Sequence, residues 1–201
     1  MAFPRSLLKV LYFTLLANFL CFAPCEPTVI DTALGEQDMT IYYEHWHDDT
    51  AYMSDLRVVD LNRDGMNDLV LGCSHAGGPS DSRPRSGEVY IIFGPISGTD
   101  LDLATGNVDV IMYGADTDDD FGFSIAVAEL SGDGILDIAV GAKKAEGPNL
   151  DRFGVVYVFF GPFTSGTVID VSVDAADAMI VGRRPPVTDL LGYSLAAGDM
   201  T

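Results

Sequence analysis

One short stretch of the chain, residues 60–72, concentrates oxygen-bearing side chains and reads DLNRDGMNDLVLG. Oxygen donors stand at positions 1, 3, 5, 7 and 9, position 7 through a backbone carbonyl: Asp60, Asn62, Asp64, Met66 and Asp68. A Ca²⁺ ion takes about six to eight oxygens, so a loop that wraps it supplies side chains at alternate positions. The stretch therefore predicts a Ca²⁺ site, and a solvated acidic turn is the alternative.

The residues around this loop argue against an EF-hand. Position 12, where an EF-hand carries a bidentate Glu, is Leu71. Residues 68–72 form a short apolar run that ends at Gly, which predicts a buried strand rather than a flanking helix. Gly65 at position 6 permits the backbone of a sharp turn. The loop is therefore predicted to join two strands.

The same pattern returns 69 residues later, at residues 129–141, as ELSGDGILDIAVG. The equivalent donors are Glu129, Ser131, Asp133, Ile135 (through its carbonyl) and Asp137. Ser131 is a weaker donor than Asn62, so the second loop is predicted to hold Ca²⁺ less tightly. A metal-free acidic hairpin is the alternative for either loop.

Further segments repeat at a similar spacing. GEVYIIFGP at residues 87–95 recurs as GVVYVFFGP at residues 154–162, and IMYG at residues 111–114 recurs as MIVG at residues 179–182. FGFSIAVAEL likewise returns as LGYSLAAGDM, and such a period predicts a repeat architecture.

Each repeat contains four short apolar segments separated by Gly, Pro and acidic turns, which is typical of a four-stranded antiparallel blade. The predicted strands of the first blade are near residues 52–59, 68–73, 88–93 and 108–113, and those of the second are at residues 121–128, 137–142, 155–160 and 178–181.

These repeats resemble the FG-GAP repeats of integrin alpha-chain β-propellers. The resemblance is carried by Phe121-Gly122, the loop at residues 129–137, Gly141-Ala142 and the VYxFFGP strand, and it covers almost all of residues 50–201. It implies an all-β, partial β-propeller of FG-GAP type: about two four-stranded antiparallel blades, a ring-closing strand and the start of a third blade. It also implies Ca²⁺ in both loops and partner binding on the opposite face. Glu129 in place of the usual Asp, and Tyr52-Met53 in place of Phe-Gly, depart from the family pattern.

The predicted organisation has five parts. Residues 1–25 are a signal peptide, residues 26–50 contain the ring-closing strand in DMTIYY, residues 51–118 and 119–187 are the two blades, and residues 188–201 begin a truncated third blade. In that last part Asp199 takes position 1 of a third cation loop. The chain is therefore expected to be a fragment or a truncated gene product. An uncleaved anchor is the alternative for the first part, although its apolar run is interrupted by Asn18 and predicts no membrane span.

Charge and cysteine content point to the outside of the cell. Residues 1–25 hold two of the 11 basic residues and none of the 30 acidic ones, so the rest has 9 against 30, or −21. Such acidity repels phosphate backbones and argues against nucleic-acid binding. Cys73 is the single cysteine after residue 25, so core packing or metal must stabilise the domain. Secretion or display on the cell surface follows from the signal peptide.

No motif predicts catalysis or a further cofactor. The serines of GFSIA and GYSLA lack the final Gly of a nucleophile elbow and repeat at a strand position, which favours a structural role. Residues 45–49, HWHDD, could ligate a transition metal or form a polar turn. Four arginines stand out in the loops expected opposite the cation loops: Arg83, Arg85, Arg183 and Arg184.

The resemblance implies a module for cell adhesion or protein recognition, binding an extracellular protein ligand or a receptor subunit and assembling with further blades. The alternatives are a non-catalytic accessory propeller of a larger secreted enzyme, such as a phospholipase, and a purely structural extracellular calcium protein.

Overall fold

The computed structural model of the chain describes residues 40–42, 53–96, 100–103, 108–146, 154–182 and 190–198. These residues form strands β1 (Thr40–Tyr42), β2 (Asp55–Val59), β3 (Asp68–Cys73), β4 (Glu88–Ile92), β5 (Asp100–Asp102), β6 (Val110–Tyr113), β7 (Phe121–Ala128), β8 (Asp137–Ala142), β9 (Val155–Phe159), β10 (Thr167–Asp170) and β11 (Ala178–Val181). A short 3-10 turn, Pro79–Asp81, lies between β3 and β4. Over the described ranges, no helix is long and apolar enough to cross a membrane.

The chain divides into two compact units, and the smaller one comprises residues 1–44 and 97–106. Within it β1 pairs in parallel with β5, with Thr40 opposite Asp100 and Tyr42 opposite Asp102. The pairing confirms that part of DMTIYY is a strand. That this strand closes a ring stays a prediction.

The larger unit, residues 45–96 and 107–201, contains two sheets. The first has the order β10-β6-β4-β3-β2, in which β2, β3, β4 and β6 are antiparallel neighbours. Leu71 of β3 lies opposite both Leu56 of β2 and Tyr90 of β4. At the far edge β10 adds in parallel to β6. Hairpin connections of this kind are what the Gly- and Asp-rich turns between the apolar segments favour.

The second sheet has the order β11-β9-β8-β7 and is antiparallel throughout. Val140 of β8 lies opposite Ile125 of β7 and Tyr157 of β9. The register shifts between Phe121 and Ser124, which marks a β-bulge at the Phe-Gly step.

The predicted all-β class is confirmed, and each sheet contains the four antiparallel strands predicted for its blade. Four strands, β3, β7, β8 and β11, have the predicted bounds, and β2, β4, β6 and β9 are one to three residues shorter than predicted. The first sheet has five strands rather than four, because β10 crosses to it from the chain that follows β9. Neither β5 nor β10 was predicted, since DLD and TVID are too short and too polar to show a strand pattern.

The core lies between the two sheets and takes alternate residues from their strands. Val89 and Ile91 of β4 and Met112 of β6 are fully buried on one side, and Phe121 and Ile125 of β7 on the other. The Phe121 ring meets the rings of two β9 residues edge-on, with centroid distances of 5.7 Å and 6.3 Å: Tyr157 and Phe159. The motif phenylalanine is thus the central residue of the shared core.

Two glycines, Gly72 and Gly122, permit the backbones of the two sheets to approach closely. A Cβ added to Gly72 of β3 would lie 2.1 Å from the carbonyl oxygen of Gly122, which itself has a φ of +80°. The next repeat has the same contact, since a Cβ on Gly141 would lie 2.2 Å from the carbonyl oxygen of Gly192. Gly122 of the Phe-Gly step, Gly192 of the equivalent Leu-Gly step and the glycine after each acidic loop are therefore required by one repeated backbone contact.

We expect Gly72→Ala to lower the free energy of unfolding by about 1–3 kcal/mol, because the new methyl group overlaps a backbone carbonyl that cannot move away alone. Urea unfolding of the full chain measures the change. The control is Gly198→Ala, which replaces a glycine with no heavy atom within 4 Å of the added Cβ. Equal stability of the two variants would contradict the close packing described here.

Candidate functional site

The first acidic loop joins β2 to β3, and its last member, Asp68, is fully buried at the start of β3. Asp68 Oδ2 accepts the backbone N–H groups of Leu61 at 2.8 Å and Asn62 at 3.2 Å. Asp68 Oδ1 accepts the N–H of Gly94 at 2.8 Å, from the segment after β4. One carboxylate therefore ties the start of the loop to the end of the neighbouring hairpin.

The second loop joins β7 to β8 and repeats this arrangement at Asp137, which is also fully buried. Its Oδ2 accepts the N–H groups of Leu130 at 2.7 Å and Ser131 at 2.8 Å, and its Oδ1 accepts the N–H of Gly161 at 3.0 Å. Gly94 and Gly161 are the glycines of the two FGP segments. The acidic loop and the FGP segment are therefore parts of one hydrogen-bonded unit.

The other first-loop side chains accept amides of the same turn. Asn62 Oδ1 accepts the N–H of Asp64 at 2.9 Å, and Asp64 Oδ1 accepts that of Met66 at 2.8 Å. Asp60 Oδ2 accepts the N–H of Gly65 at 3.0 Å, whereas Asp60 Oδ1 is buried without a hydrogen-bond partner. A buried carboxylate oxygen without a hydrogen-bond partner is unfavourable unless a cation or a donor reaches it. The first loop thus has one oxygen that fits a cation.

The second loop is more open. Asp133 Oδ1 accepts the N–H of Ile135 at 2.7 Å, and Glu129 Oε1 accepts the N–H of Gly132 and, at 3.5 Å, the hydroxyl of Ser131. Glu129 and Asp133 are exposed, and neither has a buried oxygen without a partner. The donor set of this loop therefore fits a cation less well than that of the first loop.

The structure brings each predicted set of donors onto one turn, but it does not gather the carboxylates around a point. Among the described residues, no three or more His, Cys, Asp or Glu side chains are close enough to hold a metal ion. Asp60 Oδ2, Asp64 Oδ1 and both oxygens of Asp68 accept backbone amides instead. Ca²⁺ ligation by the two loops stays a prediction. Asp199 and the HWHDD segment lie outside the described residues.

Arg83, in the connection from β3 to β4, links this connection to β10, which follows β9 in the chain. Its guanidinium donates to both carboxylate oxygens of Asp170 in β10, at 2.8 Å and 2.9 Å, and to the carbonyl of Ala115 at 3.1 Å. Although burial opposes it, hydrogen bonds from Arg83 and Ser172 hold the pKa of Asp170 below its ordinary value. This paired, planar contact is of the strong class and fixes β10 on the first sheet.

Glu88 is a buried carboxyl group at the start of β4. It lies opposite Cys73 of β3 and Tyr113 of β6 and accepts the hydroxyl of Tyr90. Burial raises the pKa of Glu88 to about 7, although the hydrogen bonds from Tyr90 and from the Gly78 N–H act in the opposite direction. Burial, together with the nearby Glu88, also raises the pKa of the Cys73 thiol, so this thiol is unreactive.

A cluster that the sequence did not predict surrounds Asp120, a fully buried residue just before β7. Three cations approach its carboxylate, with Lys144 Nζ at 2.8 Å, Lys143 Nζ at 3.4 Å and Arg85 Nη2 at 3.8 Å. The Lys143 ammonium also lies 3.1 Å from the centroid of the Phe123 ring. Burial lowers the pKa of Lys143. The DDD run and the Lys-Lys pair were the available signals, but they lie in different connections of the chain.

Ser124 of the GFSIA segment has a structural contact. It is buried, and its hydroxyl donates to the Gly192 carbonyl at 2.7 Å. This bond joins β7 to the segment at residues 190–198, beside the Gly141 contact. The hydroxyl is engaged in holding successive repeats together.

The repeats are similar in sequence to a known protein family and to several named proteins. The FG-GAP repeat family matches residues 121–159. The phosphatidylinositol-glycan-specific phospholipase D of Dictyostelium discoideum is 31% identical over 137 residues, which is 64% of this chain and 14% of that protein. The Mus musculus protein of the same name is 41% identical over 108 residues, 51% of this chain and 12% of that protein. Integrin alpha pat-2 of Caenorhabditis elegans is 38% identical over 87 residues, 43% of this chain and 7% of that protein. The shared stretch is thus 7–14% of the length of these relatives.

We expect Asp68→Ala to lower the free energy of unfolding by about 2–4 kcal/mol in EGTA, because it leaves buried backbone amides without acceptors. Asp64→Ala is the matched control: it removes the same charge from an exposed position and should change the free energy by about 0.5 kcal/mol or less. Urea unfolding with the chelator present measures both. Equal losses would mean that Asp68 does not stabilise the loop independently of metal.

We expect Glu88→Gln to change how stability depends on pH. The folded pKa of about 7 exceeds the ordinary 4.5, so the unfolded chain releases this proton first and the contribution of Glu88 to stability is lost between these pH values. Relative to the variant, the wild-type chain should lose about 3 kcal/mol over that window.

Urea unfolding at closely spaced pH values from 4 to 8 (a range of about four units that brackets both protonation steps) gives the two curves. Glu129→Gln, at an exposed position, supplies the effect of removing one surface carboxylate. Parallel curves for wild-type chain and Glu88→Gln would show that Glu88 does not titrate in this way.

Proposed function

Because this chain is an FG-GAP repeat protein with the all-β sheets of a β-propeller, we propose that it is an extracellular, calcium-binding module for protein recognition or cell adhesion. The observation that carries the proposal is in the first acidic loop, where Asp60 Oδ1 is buried without a donor and Asn62 and Asp64 lie on the same turn. A divalent cation would satisfy that oxygen.

In this proposal the first loop holds Ca²⁺ through Asp60, Asn62, Asp64, the Met66 carbonyl and Asp68. The second loop would use Glu129, Ser131, Asp133, the Ile135 carbonyl and Asp137, and Asp199 would open a third loop. Loops of extracellular modules bind Ca²⁺ with dissociation constants on the order of 10⁻⁴ to 10⁻³ M, which suits a secreted chain. The signal-peptide pattern at residues 1–25 supports that location.

The partner in this proposal is an extracellular protein ligand or a receptor subunit. The connection from β3 to β4 and that from β6 to β7 supply Arg85 and Asp118, which pair at 3.6 Å and are both partly exposed. Charged groups of this kind supply specificity at protein interfaces. The relatives named integrin alpha support recognition as the role.

A second candidate function is that of an accessory, non-catalytic propeller in a larger secreted enzyme. The relatives named phosphatidylinositol-glycan-specific phospholipase D favour it. The FG-GAP repeat is a non-catalytic module, and Ser124 is engaged in a structural bond. In this case the repeats would supply rigidity or substrate docking, and the reaction would belong to another domain.

We expect Ca²⁺ to raise the melting temperature of the full chain in the millimolar range. With a dissociation constant of about 0.1–1 mM, 5 mM Ca²⁺ adds about 1–2 kcal/mol to the free energy of unfolding. Asp64→Ala should lose most of this gain, because it removes an exposed ligand without disturbing the buried amide bonds of Asp68.

The matched control is Asp133→Ala, the same substitution in the second loop, which should leave the response of the first loop in place. Titration calorimetry with Ca²⁺ gives the number of ions and the affinities. A wild-type chain that binds no Ca²⁺ at 5 mM, or an Asp64→Ala variant with an unchanged response, would overturn the proposal. The sequence of the full-length transcript separates the two functions, because an adhesion protein and an enzyme differ in the domains that accompany the repeats.

A further inference from the structure

The fourth strand of the first sheet has a strand from the following repeat along its outer edge. β10 pairs in parallel with β6, with Thr167 opposite Val110 and Asp170 opposite Tyr113. The contact continues beyond the strand ends, since Gly166 N–H donates to the Asp109 carbonyl at 2.7 Å and Val171 N–H to the Tyr113 carbonyl at 3.0 Å. The chain that leaves β9 therefore covers the sheet of the preceding repeat before it returns to its own sheet as β11.

The smaller unit contains a second example of the same pairing. β5 is the counterpart of β10: both strands lie in segments with the pattern SGTxxD plus an apolar residue, SGTDLDL at residues 97–103 and SGTVIDV at residues 165–171. β1 is the counterpart of β6, and β5 pairs with it in parallel. The parallel addition is thus a property of the repeat rather than of one loop.

β11 is the next strand in this series, because MIVG at residues 179–182 repeats IMYG at residues 111–114. Met179 therefore corresponds to Ile111, and Ile180 to Met112. Within the described part of the chain, β11 has β9 on one side and no strand on the other. Met179 and Ile180 are 48% and 57% exposed, whereas Met112 is fully buried.

The backbone of β11 is oriented to accept such a strand. Gly182 N–H donates to the Gly154 carbonyl, and Ile180 lies opposite Val156. In an antiparallel pair the hydrogen-bonded positions alternate, so Ile180 directs its backbone groups to β9 and Met179 directs its own outward. An open, apolar strand edge with outward N–H and C=O groups is a template for strand addition.

We propose that the outer edge of β11 is a binding site for the connection between the third and fourth strands of another FG-GAP repeat, which adds in parallel as β10 adds to β6. The occupant is an extended segment with the SGTxxD pattern, and Met179 takes the residue that corresponds to Val168. The site is distinct from the cation loops and from the charged surface of the proposed function, so it holds whether or not the chain binds Ca²⁺.

Disulfide trapping in a redox buffer tests the site and its register. The probe is a synthetic peptide of residues 165–175, SGTVIDVSVDA, with Val168→Cys or, in a second version, Ile169→Cys. The target is the full chain with Met179→Cys. Val173→Cys is the matched control target, because Val173 is an exposed apolar residue outside β11. The wild-type chain gives the background from its own three cysteines.

We expect the equilibrium yield of mixed disulfide for the Val168→Cys peptide to be at least tenfold higher with Met179→Cys than with Val173→Cys. With Met179→Cys, the Ile169→Cys peptide should react several-fold less, because its thiol is one residue out of register. Equal yields at the two targets, or equal yields of the two peptides, would overturn the proposal. A Met179→Cys chain that forms its own disulfide dimer and excludes the peptide would assign the edge to a second copy and would also overturn it. Far-UV circular dichroism of each variant confirms that the targets are folded.

Discussion

The larger unit depends on a buried carboxylate at the start of the second strand of each repeat. Asp68 and Asp137 each accept three backbone N–H groups, two from the loop before the strand and one from the glycine that follows the third strand. A carboxylate is buried at this position only because charge-assisted hydrogen bonds replace its water. The same bonds fix the path of the first acidic loop, in which Leu61 is the buried apolar side chain and Met66 is exposed.

The acidic residues of the first loop therefore have different roles. Oδ2 of Asp68 already accepts two amides, so both of its lone pairs are engaged, and Oδ1 accepts one. The remaining capacity for a cation lies at the open end of the loop, where Asp60 Oδ1 has no donor and Asn62 and Asp64 accept only local turn amides. Those turn bonds are exposed and weak enough to be exchanged for an ion, whereas Asp68 keeps its amide bonds and has only the remaining lone pair of its Oδ1 for an ion.

Much of this fold could be predicted from the sequence because the repeat supplied each strand twice. β3 and β8 each begin with Asp, continue with apolar residues and have glycine as the second-to-last residue, and both their bounds and those of β7 were predicted correctly. The repeated loop likewise identified the correct turns. β5 and β10 escaped prediction because a parallel edge strand takes its stability from a partner in another repeat, so DLD and TVID show no alternation of their own. The second copy of SGTxxD was the signal that would have revealed them.

The candidate site was predicted less completely than the fold, for a related reason. Spacing along the chain identified Asp60 to Asp68 as neighbours, but it could not show that Asp68 also accepts the N–H of Gly94, 26 residues away. The Asp120 cluster has the same origin: Arg85, Lys143 and Lys144 come from connections on either side of it and converge only when the two sheets pack. A sequence pattern therefore predicts the geometry of a single turn, whereas the contacts between residues far apart in the chain decide the role of each side chain in it.

Because β10 crosses to the preceding sheet, a single repeat does not contain all of its own backbone hydrogen-bond partners. In a repeat array each unit contacts only its neighbours, and stability depends on the interfaces between them. Here the backbone of the second repeat completes the sheet of the first, and Arg83 fastens the exchange with two bonds to Asp170. Breaking the contact between β10 and β6 therefore exposes a strand edge as well as apolar surface. Because the backbone groups of that edge lose their partners, separating neighbouring repeats costs more free energy than the loss of apolar burial does. In a chain with a net charge of −19, directed backbone bonds of this kind hold acidic sheets together where surface electrostatics would drive them apart.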